Sequence, residues 1–458
     1  MNLAELKGAR LHFVGIGGSG MSGLARIALA MGIVTVGSDA KDSQTLKDLE
    51  GMGAEIFRGH DRKNVVSNSV LVVSSAIPNN NPELERAREL NLPIITRAQA
   101  LALFMDGKKS VAVAGTHGKT TTTSMLTVAL QSLGLNPSFA IGGTINRGGT
   151  NAHFGGGEYF VAEADESDGS FLEYRPLGAI ITNIELDHVD NFPNIESIMK
   201  IFAKFITSIR PGGFLIAGID SPKVRELLAS NERSDIKVIT YGKNEGDLTY
   251  SHLSLRPMST LARVAHNGKV LGEVELSIPG EHNVENALAV IGVGIATGQP
   301  IAEMMGGIKG FTGARRRFEI RGAAKGVTVI DDYGHHPTEI SVTLTTAKNY
   351  AGSGDVIVVF QPHRYSRTAA FVKEFANALS IADRIYLLEI YSAGESPIPG
   401  VSSKLIADLL PNAIYNPSMI EVVEEVAKIS KRGDLIITLG AGDVSALAPV
   451  ILETLNAN

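Results

Sequence analysis

The sequence predicts an α/β protein of three units, and three observations predict it. Apolar runs of strand length alternate with helical stretches along most of the 458 residues. Two of those runs break into glycine-rich turns that lead into helices, the entrance of a βαβ unit. The length itself suits about three domains at roughly 150 residues each.

The elements follow in order. From Leu11 to Gly37 come an apolar run, a glycine cluster, a helical stretch and a second apolar run, IVTVGS. SVLVVSSA at 69–76 is a further strand, and Pro78 and Pro82 bound the next helix. A second unit opens at Ser110 and continues through the strands YFVAEAD, GAIITN and FLIAG. The texture then changes. LTYSHLSLR, TLARVAHNG and KVLGEVELS read as antiparallel strands, with Asn267-Gly268 as a hairpin turn. A helix starting near Asn283 closes this part, and GIKGFTGARRR reads as a linker. GVTVIDDY, DVIVVFQ, RIYLLEI and DLIITLG alternate with helices as a third α/β unit.

Composition removes several classes of function. Lys+Arg 42 against Asp+Glu 48 gives a net charge of −6, with no broad basic surface for nucleic acid. With no cysteine, disulfides, thiolate metal sites and cysteine nucleophiles are excluded. The start of the chain lacks the order of a signal peptide, and no apolar run approaches the ~20 residues that span a bilayer. A cytoplasmic protein without a membrane partner is expected, as a monomer or homodimer.

Two glycine-rich loops carry the first chemical signal. GIGGSG places Gly15, Gly17 and Gly20 in G-x-G-x-x-G spacing after a strand, and Asp39 ends the next strand. Glycines there let backbone N–H groups at a helix start approach a diphosphate. A nicotinamide cofactor, another nucleotide diphosphate and plain tight packing all fit this loop. The second loop, Gly115-Thr116-His117-Gly118-Lys119-Thr120, lies between a buried strand and a helix. That is the context of a P-loop: N–H groups wrap phosphates, Lys119 reaches the outer ones, and Thr120 ligates Mg²⁺. Val113 stands where the full pattern has its first glycine. ATP is the expected ligand.

Acidic residues gather at the ends of the following strands. YFVAEADESDGSF carries Glu163, Asp165, Glu166 and Asp168, and NIELDHVDNF carries Glu185, Asp187, His188 and Asp190. Carboxylates this close repel unless cations neutralise them, and Mg²⁺ suits hard oxygen ligands beside ATP phosphates. Arg364 and Arg367, three apart after the strand VIVVFQ, have the donor geometry to clamp a carboxylate.

HFVGIGGSGMSGLA, VAGTHGKTTTTSM, VAEADESDGSFL, TNIELDH, GEHNVENALA, RRRFEIRG, DDYGHHPTEI and FQPHRYSRT, taken together and in this order, resemble the Mur ligases of peptidoglycan precursor synthesis. The resemblance implies a Rossmann-like domain for a UDP-sugar at 1–106, a central P-loop ATPase domain at 107–310 and a Rossmann-like amino-acid domain at 311–458. It implies that the first loop holds a UDP-sugar through Gly17, Gly18, Ser19 and Gly20, with Asp39, His60 and Ser75 near the uridine or sugar. It gives ATP the residues Gly115 to Thr121, Asn283, Asn286, Arg317, Asp332 and Tyr333, although Asn283 also reads as a helix N-cap. Thr120 and Glu163 would ligate one Mg²⁺ and His188 a second. Tyr333, His335, Arg364 and Arg367 would receive the amino acid, with His335 taking its ammonium proton.

The same resemblance implies UDP-N-acetylmuramate and L-alanine as substrates and an acyl-phosphate route. Some family members carry a carbamylated lysine after the metal histidine, but Ala203 stands there, between Lys200 and Lys204, so no such modification is expected. Two alternatives remain at this point: a ligase that adds a whole tripeptide to the same UDP-sugar, and an NAD-dependent oxidoreductase resting on GIGGSG and Asp39.

Overall fold

The computed structural model describes residues 2–145 and 149–457. Its strands form three sheets. In the first, Arg10–Val14 lies at the centre between Val34–Asp39 and Ser69–Val73, with Glu55–Arg58 and Ile94–Thr96 at the edges. All pairings in this sheet are parallel. The second sheet has ten strands, with Lys109–Ala114 between Tyr159–Glu163 and Gly178–Ile181. Phe214–Gly218 and Lys237–Tyr241 continue it in parallel. The third has six strands, with Leu435–Leu439 between Val327–Asp332 and Val356–Phe360.

Parallel strands covered by helices on both faces must be apolar throughout, which is why VAVA and VIVVF show no alternation. Val111 to Ala114 and Val356 to Phe360 are accordingly buried without exception. The segment of different texture is the antiparallel part of the second sheet, Leu248–Arg256, Ser259–His266 and Lys269–Leu276. Asn267 and Gly268 join the last two with φ of 49° and 76°, the paired positive angles of a two-residue hairpin turn.

The stretch expected to be a linker is more structured than that. Its first residues end the helix Ile301–Ile308, Phe311 and Ala314 are buried in the central core, and Ala314 bridges to Ile145. Sequence reading missed this because glycines and arginines mask two well-placed apolar residues. Beyond it, Arg316 and Phe318 adopt positive φ of 57° and 48°, as do His188 at 52° and Arg364 at 73°. Bulky residues held there are strained, and such strain gathers where function over-determines the backbone. The glycine loop, the P-loop and both acidic stretches follow the carboxyl ends of parallel strands, where α/β sheets bind ligands.

Candidate active site

Gly118, with φ of 81°, ends the P-loop and starts the helix Lys119–Ser132 without offering a side-chain cap. The first helical N–H bond is Thr122 to Gly118, so the donors of Lys119, Thr120 and Thr121 remain for an anion. Gly115 cannot be replaced easily. Its φ is 132°, and a Cβ there would stand 2.0 Å from Thr182 Oγ1. Asn183 fastens the loop by accepting from His117 N at 2.8 Å through its side chain. Thr116 N donates to Asn183 O at 3.0 Å.

The Lys119 ammonium donates to Gly115 O at 2.6 Å, Thr116 O at 3.1 Å and Glu166 Oε1 at 3.0 Å. Burial works against its charge, but Glu166 and Asp165 outweigh burial and hold it above the ordinary lysine range. Thr120 Oγ1 donates to Glu163 Oε1 at 3.0 Å, and Gly142 N donates to the other oxygen at 2.7 Å. Burial raises the Glu163 pKa, with Lys119 opposing. His188 does not stand alone: Asp165, Glu166 and His188 bring one ligand atom each to within 4.8 Å of one another.

The third unit grips this acidic rim. Arg367, 4% exposed, donates from Nε to Asp187 Oδ1 at 2.9 Å, and its Nη2 lies 2.8 Å from the same oxygen. Arg364 pairs with Asp190. Thr338 Oγ1 donates to Glu185 Oε2 at 2.6 Å, and His336 Nε2 sits 3.2 Å from Leu186 O. His117 faces Glu185 and Glu339; burial disfavours its charge, yet those two carboxylates raise its pKa to about 9. Arg317 reaches Glu339 Oε1 at 3.2 Å and covers the Tyr333 ring at 5.3 Å.

Two cavities meet at Arg317. One, about 570 Å³, is lined by His117, Thr121, Asn283, Asn286, Arg317 and Asp332 among others. The other, about 830 Å³, is reached by Ser19 from the first unit, Lys119, Thr120, Glu163 and His188 from the second, and Tyr333, His335, Arg364 and Arg367 from the third. Residues expected to serve three different ligands thus border one space.

Comparison with known proteins adds to this geometry. Residues 10–109 match the Mur ligase family catalytic domain, 113–294 the Mur ligase middle domain, and 316–442 the Mur ligase glutamate ligase domain. The chain belongs to the Mur ligase family. It is 45% identical over 452 residues to the UDP-N-acetylmuramate–L-alanine ligase of Acidothermus cellulolyticus, covering 97% of this chain and 95% of that one. It is 46% identical to the protein of the same name from Mycolicibacterium smegmatis, again covering 97% and 95%. The crystal structure of UDP-N-acetylmuramate-alanine ligase MurC from Thermotoga maritima superposes with a TM-score of 0.81 at 30% identity, covering 98% and 99%. A murein peptide ligase from Psychrobacter arcticus reaches 0.72 at 25% identity, covering 98% and 99%.

Several expected site residues of this Mur ligase have partners within the protein. Asp39, half-exposed, is engaged by the backbone around it: its Oδ2 accepts from Gly17 N at 2.9 Å and its Oδ1 from Lys41 N at 3.1 Å. Gly18 N is likewise taken, by Gly15 O at 3.2 Å, so the donors of Ser19 and Gly20 are the open ones in this loop. His60 is drawn by Nδ1 into contact with Ser38 and the buried Glu83, while Ser75 lies exposed after its strand.

Asn283 is not the N-cap, because the helix His282–Thr297 is preceded by Glu281. Instead Asn283 Oδ1 accepts from Asn286 Nδ2 at 3.1 Å, and Asn286 Oδ1 accepts from Thr122 Oγ1 at 3.0 Å. Asp332 clamps its own turn, accepting from Phe318 N and Gly334 N, and burial raises its pKa to about 6. Burial also lowers the His335 pKa to about 3, which makes that imidazole a poor acceptor for an ammonium proton. Glu339 is the principal residue that sequence reading left out of the site, and Glu166, read there only as one of an acidic cluster, is the partner of Lys119. Glu339 lies in the first turn of the helix Pro337–Ala351 and accepts from His335 N at 3.1 Å, so an acid in the first turn after the DDYGHH segment was the available signal.

Proposed function

We propose that the chain is an ADP-forming ligase that joins L-alanine to the lactyl carboxylate of UDP-N-acetylmuramate, in the cytoplasmic assembly of peptidoglycan precursors. One observation carries the reading: the P-loop lysine, the glycine-loop helix start and the third-unit arginines open onto one cavity of about 830 Å³. Each is suited to an anionic group, and a ligase that activates an acid with ATP must bring three such groups together.

A carboxylate does not condense with an amine in neutral water because oxide is an impossible leaving group. The lactyl carboxylate oxygen attacks the γ-phosphorus of ATP, the bond to the β-phosphate oxygen breaks, and ADP departs, leaving an acyl phosphate. Lys119 and Arg317 stabilise charge on the transferring group. The amine of L-alanine then attacks the acyl carbon, and inorganic phosphate leaves with the bonding pair. Burial, which lowers the His335 pKa to about 3, disfavours that imidazole as the acceptor of the ammonium proton. A phosphate group, titrating at roughly 6, is the stronger base and takes it as it departs.

Asn286 and Asn283, held together by the bond from Asn286 Nδ2 to Asn283 Oδ1, border the smaller cavity, which would take the adenine. Arg364 and Arg367 provide the guanidinium groups for the alanine carboxylate.

The donor set fits Mg²⁺. Thr120 Oγ1 and Glu163 form one group of hard oxygens, and the carboxylates of Asp165 and Glu166 with an imidazole nitrogen of His188 form a second donor group. Mg²⁺ held by these residues would neutralise phosphate charge and polarise the phosphoryl oxygens.

Supplying UDP-N-acetylmuramate with oxygen-18 in its lactyl carboxylate tests the scheme directly. One labelled oxygen is expected in the released phosphate, together with ADP formation that requires both the UDP-sugar and L-alanine. Unlabelled phosphate would defeat the acyl-phosphate route. An amino-acid panel that includes L-alanyl-γ-D-glutamyl-meso-diaminopimelate separates the tripeptide-adding alternative, which the 45% identity to L-alanine ligases does not favour.

A further inference from the structure

Apart from the groups suited to Mg²⁺, the contact between the second and third units holds a cluster of different chemistry. His117 comes from the P-loop, Glu185 from the segment after the strand Gly178–Ile181, and His336 from the position that caps the helix Pro337–Ala351. Each brings one ligand atom, and these atoms all lie within 4.8 Å of one another. His117 Nε2 stands 3.4 Å from Glu185 Oε2, and His336 Nδ1 stands 3.8 Å from the same oxygen. Ligands at the corners of a tetrahedron around zinc, with bonds of about 2.0–2.1 Å, are roughly 3.4 Å apart. Both spacings are within a few tenths of an ångström of that figure.

The second nitrogen of each imidazole has an acceptor of its own. His117 Nδ1 lies 3.4 Å from Glu339 Oε1, and His336 Nε2 lies 3.2 Å from Leu186 O. Metal-binding histidines are oriented in this way, by a carboxylate or a backbone carbonyl behind the ring. Thr338 Oγ1 donates to Glu185 Oε2 at 2.6 Å and holds that carboxylate in place. Thr338 N reaches His336 Nδ1 only at 3.3 Å, a long bond that a metal ion replaces. The position also calls for positive charge. Burial works against a charged His117, yet Glu185 and Glu339 keep it protonated, and a dication puts more charge between the same carboxylates as that proton leaves to solvent. His117 and Glu185 line the smaller cavity, which leaves room for a water as the fourth ligand.

We infer that His117, Glu185 and His336 bind a transition-metal dication of the Zn²⁺ class, and that this ion latches the third unit onto the P-loop and stops turnover. Two imidazoles and one carboxylate select such an ion over Mg²⁺, which takes hard oxygens and keeps several of its waters. His336 belongs to the third unit and the other two ligands to the second, so the ion ties the units together directly. A ligase whose third unit must open to exchange its ligands is inhibited when that unit is held shut. The effect on turnover rests on the proposed ligase reading, and the binding of the ion does not.

The experiment titrates the full-length protein with Zn²⁺ by calorimetry in a large excess of Mg²⁺, and with Co²⁺ followed by visible absorption, in the wild type, His336→Asn and Glu185→Gln. Asparagine keeps the cap on Thr338 N and glutamine keeps the acceptor for Thr338 Oγ1, so each variant removes a metal ligand with little loss of shape. The wild type is expected to bind Zn²⁺ despite the Mg²⁺ and to give the intense Co²⁺ spectrum of a tetrahedral site. Both variants should bind Zn²⁺ at least about tenfold more weakly and lose that spectrum. Zn²⁺ should slow hydrogen exchange at the start of the helix Pro337–Ala351 in the wild type alone, and inhibition of ADP release should need at least about tenfold more Zn²⁺ in the variants. Equal Zn²⁺ affinity in the wild type and either folded variant overturns the site, as does Zn²⁺ binding that only His188→Ala abolishes, which would place the ion on the groups assigned to Mg²⁺. Zn²⁺ bound through these ligands without slower exchange or inhibition overturns the latch. A wild type that binds Zn²⁺ as expected but releases no ADP with UDP-N-acetylmuramate and L-alanine in the absence of Zn²⁺ supports the metal site and overturns the ligase reading instead.

Discussion

Replacing Glu83 by glutamine separates charge from shape beneath the first glycine loop. Glu83 is completely buried, yet it accepts from Ser38 Oγ at 2.5 Å and Asn64 Nδ2 at 2.7 Å, with His60 at 3.2 Å and His12 at 3.5 Å. Burial alone would raise its pKa, but His12, Ser38 and Asn64 overcome it and lower the value from 4.5 to about 2. That difference corresponds to about 3 kcal/mol of stability. A carboxylate whose pKa is depressed on folding stabilises fully above its unfolded value, and the contribution is lost as pH falls through its folded one. The wild type should therefore exceed Glu83→Gln by about 3 kcal/mol at pH 7, with the gap closing between pH 4.5 and about 2.

Hydrogen exchange on the full chain localises the effect. Ser38 O accepts from both Gly15 N and Ile16 N, so faster exchange is expected in the strand Arg10–Val14 and through the loop that follows, with the third unit unaffected. A stability gap that stays constant from pH 7 to pH 3 would refute the electrostatic account. It would leave the glutamate as a shape-filling residue.

Four further substitutions test the site. Lys119→Ala should lower kcat/KM on the order of a thousandfold in an ADP-release assay, and because it leaves the buried Glu166 without its counter-charge it should also lower the thermal midpoint. Gly115→Ala, forced to φ of 132° with its Cβ 2.0 Å from Thr182 Oγ1, should lose at least about 2 kcal/mol in denaturant melts and should bind ATP poorly. Asn286→Ala should raise KM for ATP about tenfold with kcat little changed, measured by steady-state kinetics. Asp187→Asn leaves the buried Arg367 without its counter-charge, a loss of about 3–5 kcal/mol that falls on docking of the third unit. Solution scattering should then show a larger radius for the variant than for the wild type.

Motifs made of consecutive residues were legible in the sequence, because the backbone itself brings their atoms together. The P-loop, the acidic strand ends and the Asn267-Gly268 turn are of this kind. What stayed hidden depends on which atom a side chain chooses when several are within reach. Asp39 ends its strand as expected, but that the Gly17 N–H engages one of its oxygens could not be read from spacing. His60 is captured by Glu83, which lies 23 residues away on a helix with no motif of its own. Asn283 has the composition of a cap, but the helix starts one residue before it. The basicity of His335 could not be read at all, since it is set by burial between units that only the folded chain brings together.

The cations and carboxylates of the site occupy one another in this structure. Lys119 lies on Glu166, Arg317 on Glu339, Arg367 on Asp187 and Arg364 on Asp190. Each buried or half-buried charge needs an opposite one, since desolvation without a partner costs several kcal/mol. A phosphate or carboxylate ligand can therefore enter only by replacing a carboxylate, and the carboxylate it displaces then needs a new positive partner. The two exchanges are linked, so an anion arriving without a counter-cation is penalised and one arriving with it is not. Arg367 and Asp187 come from different units, so the same exchange also alters how the third unit is held. Ligand arrival and the closure that shields an acyl phosphate from water thus depend on one set of ion pairs, and no separate signal between the units is required.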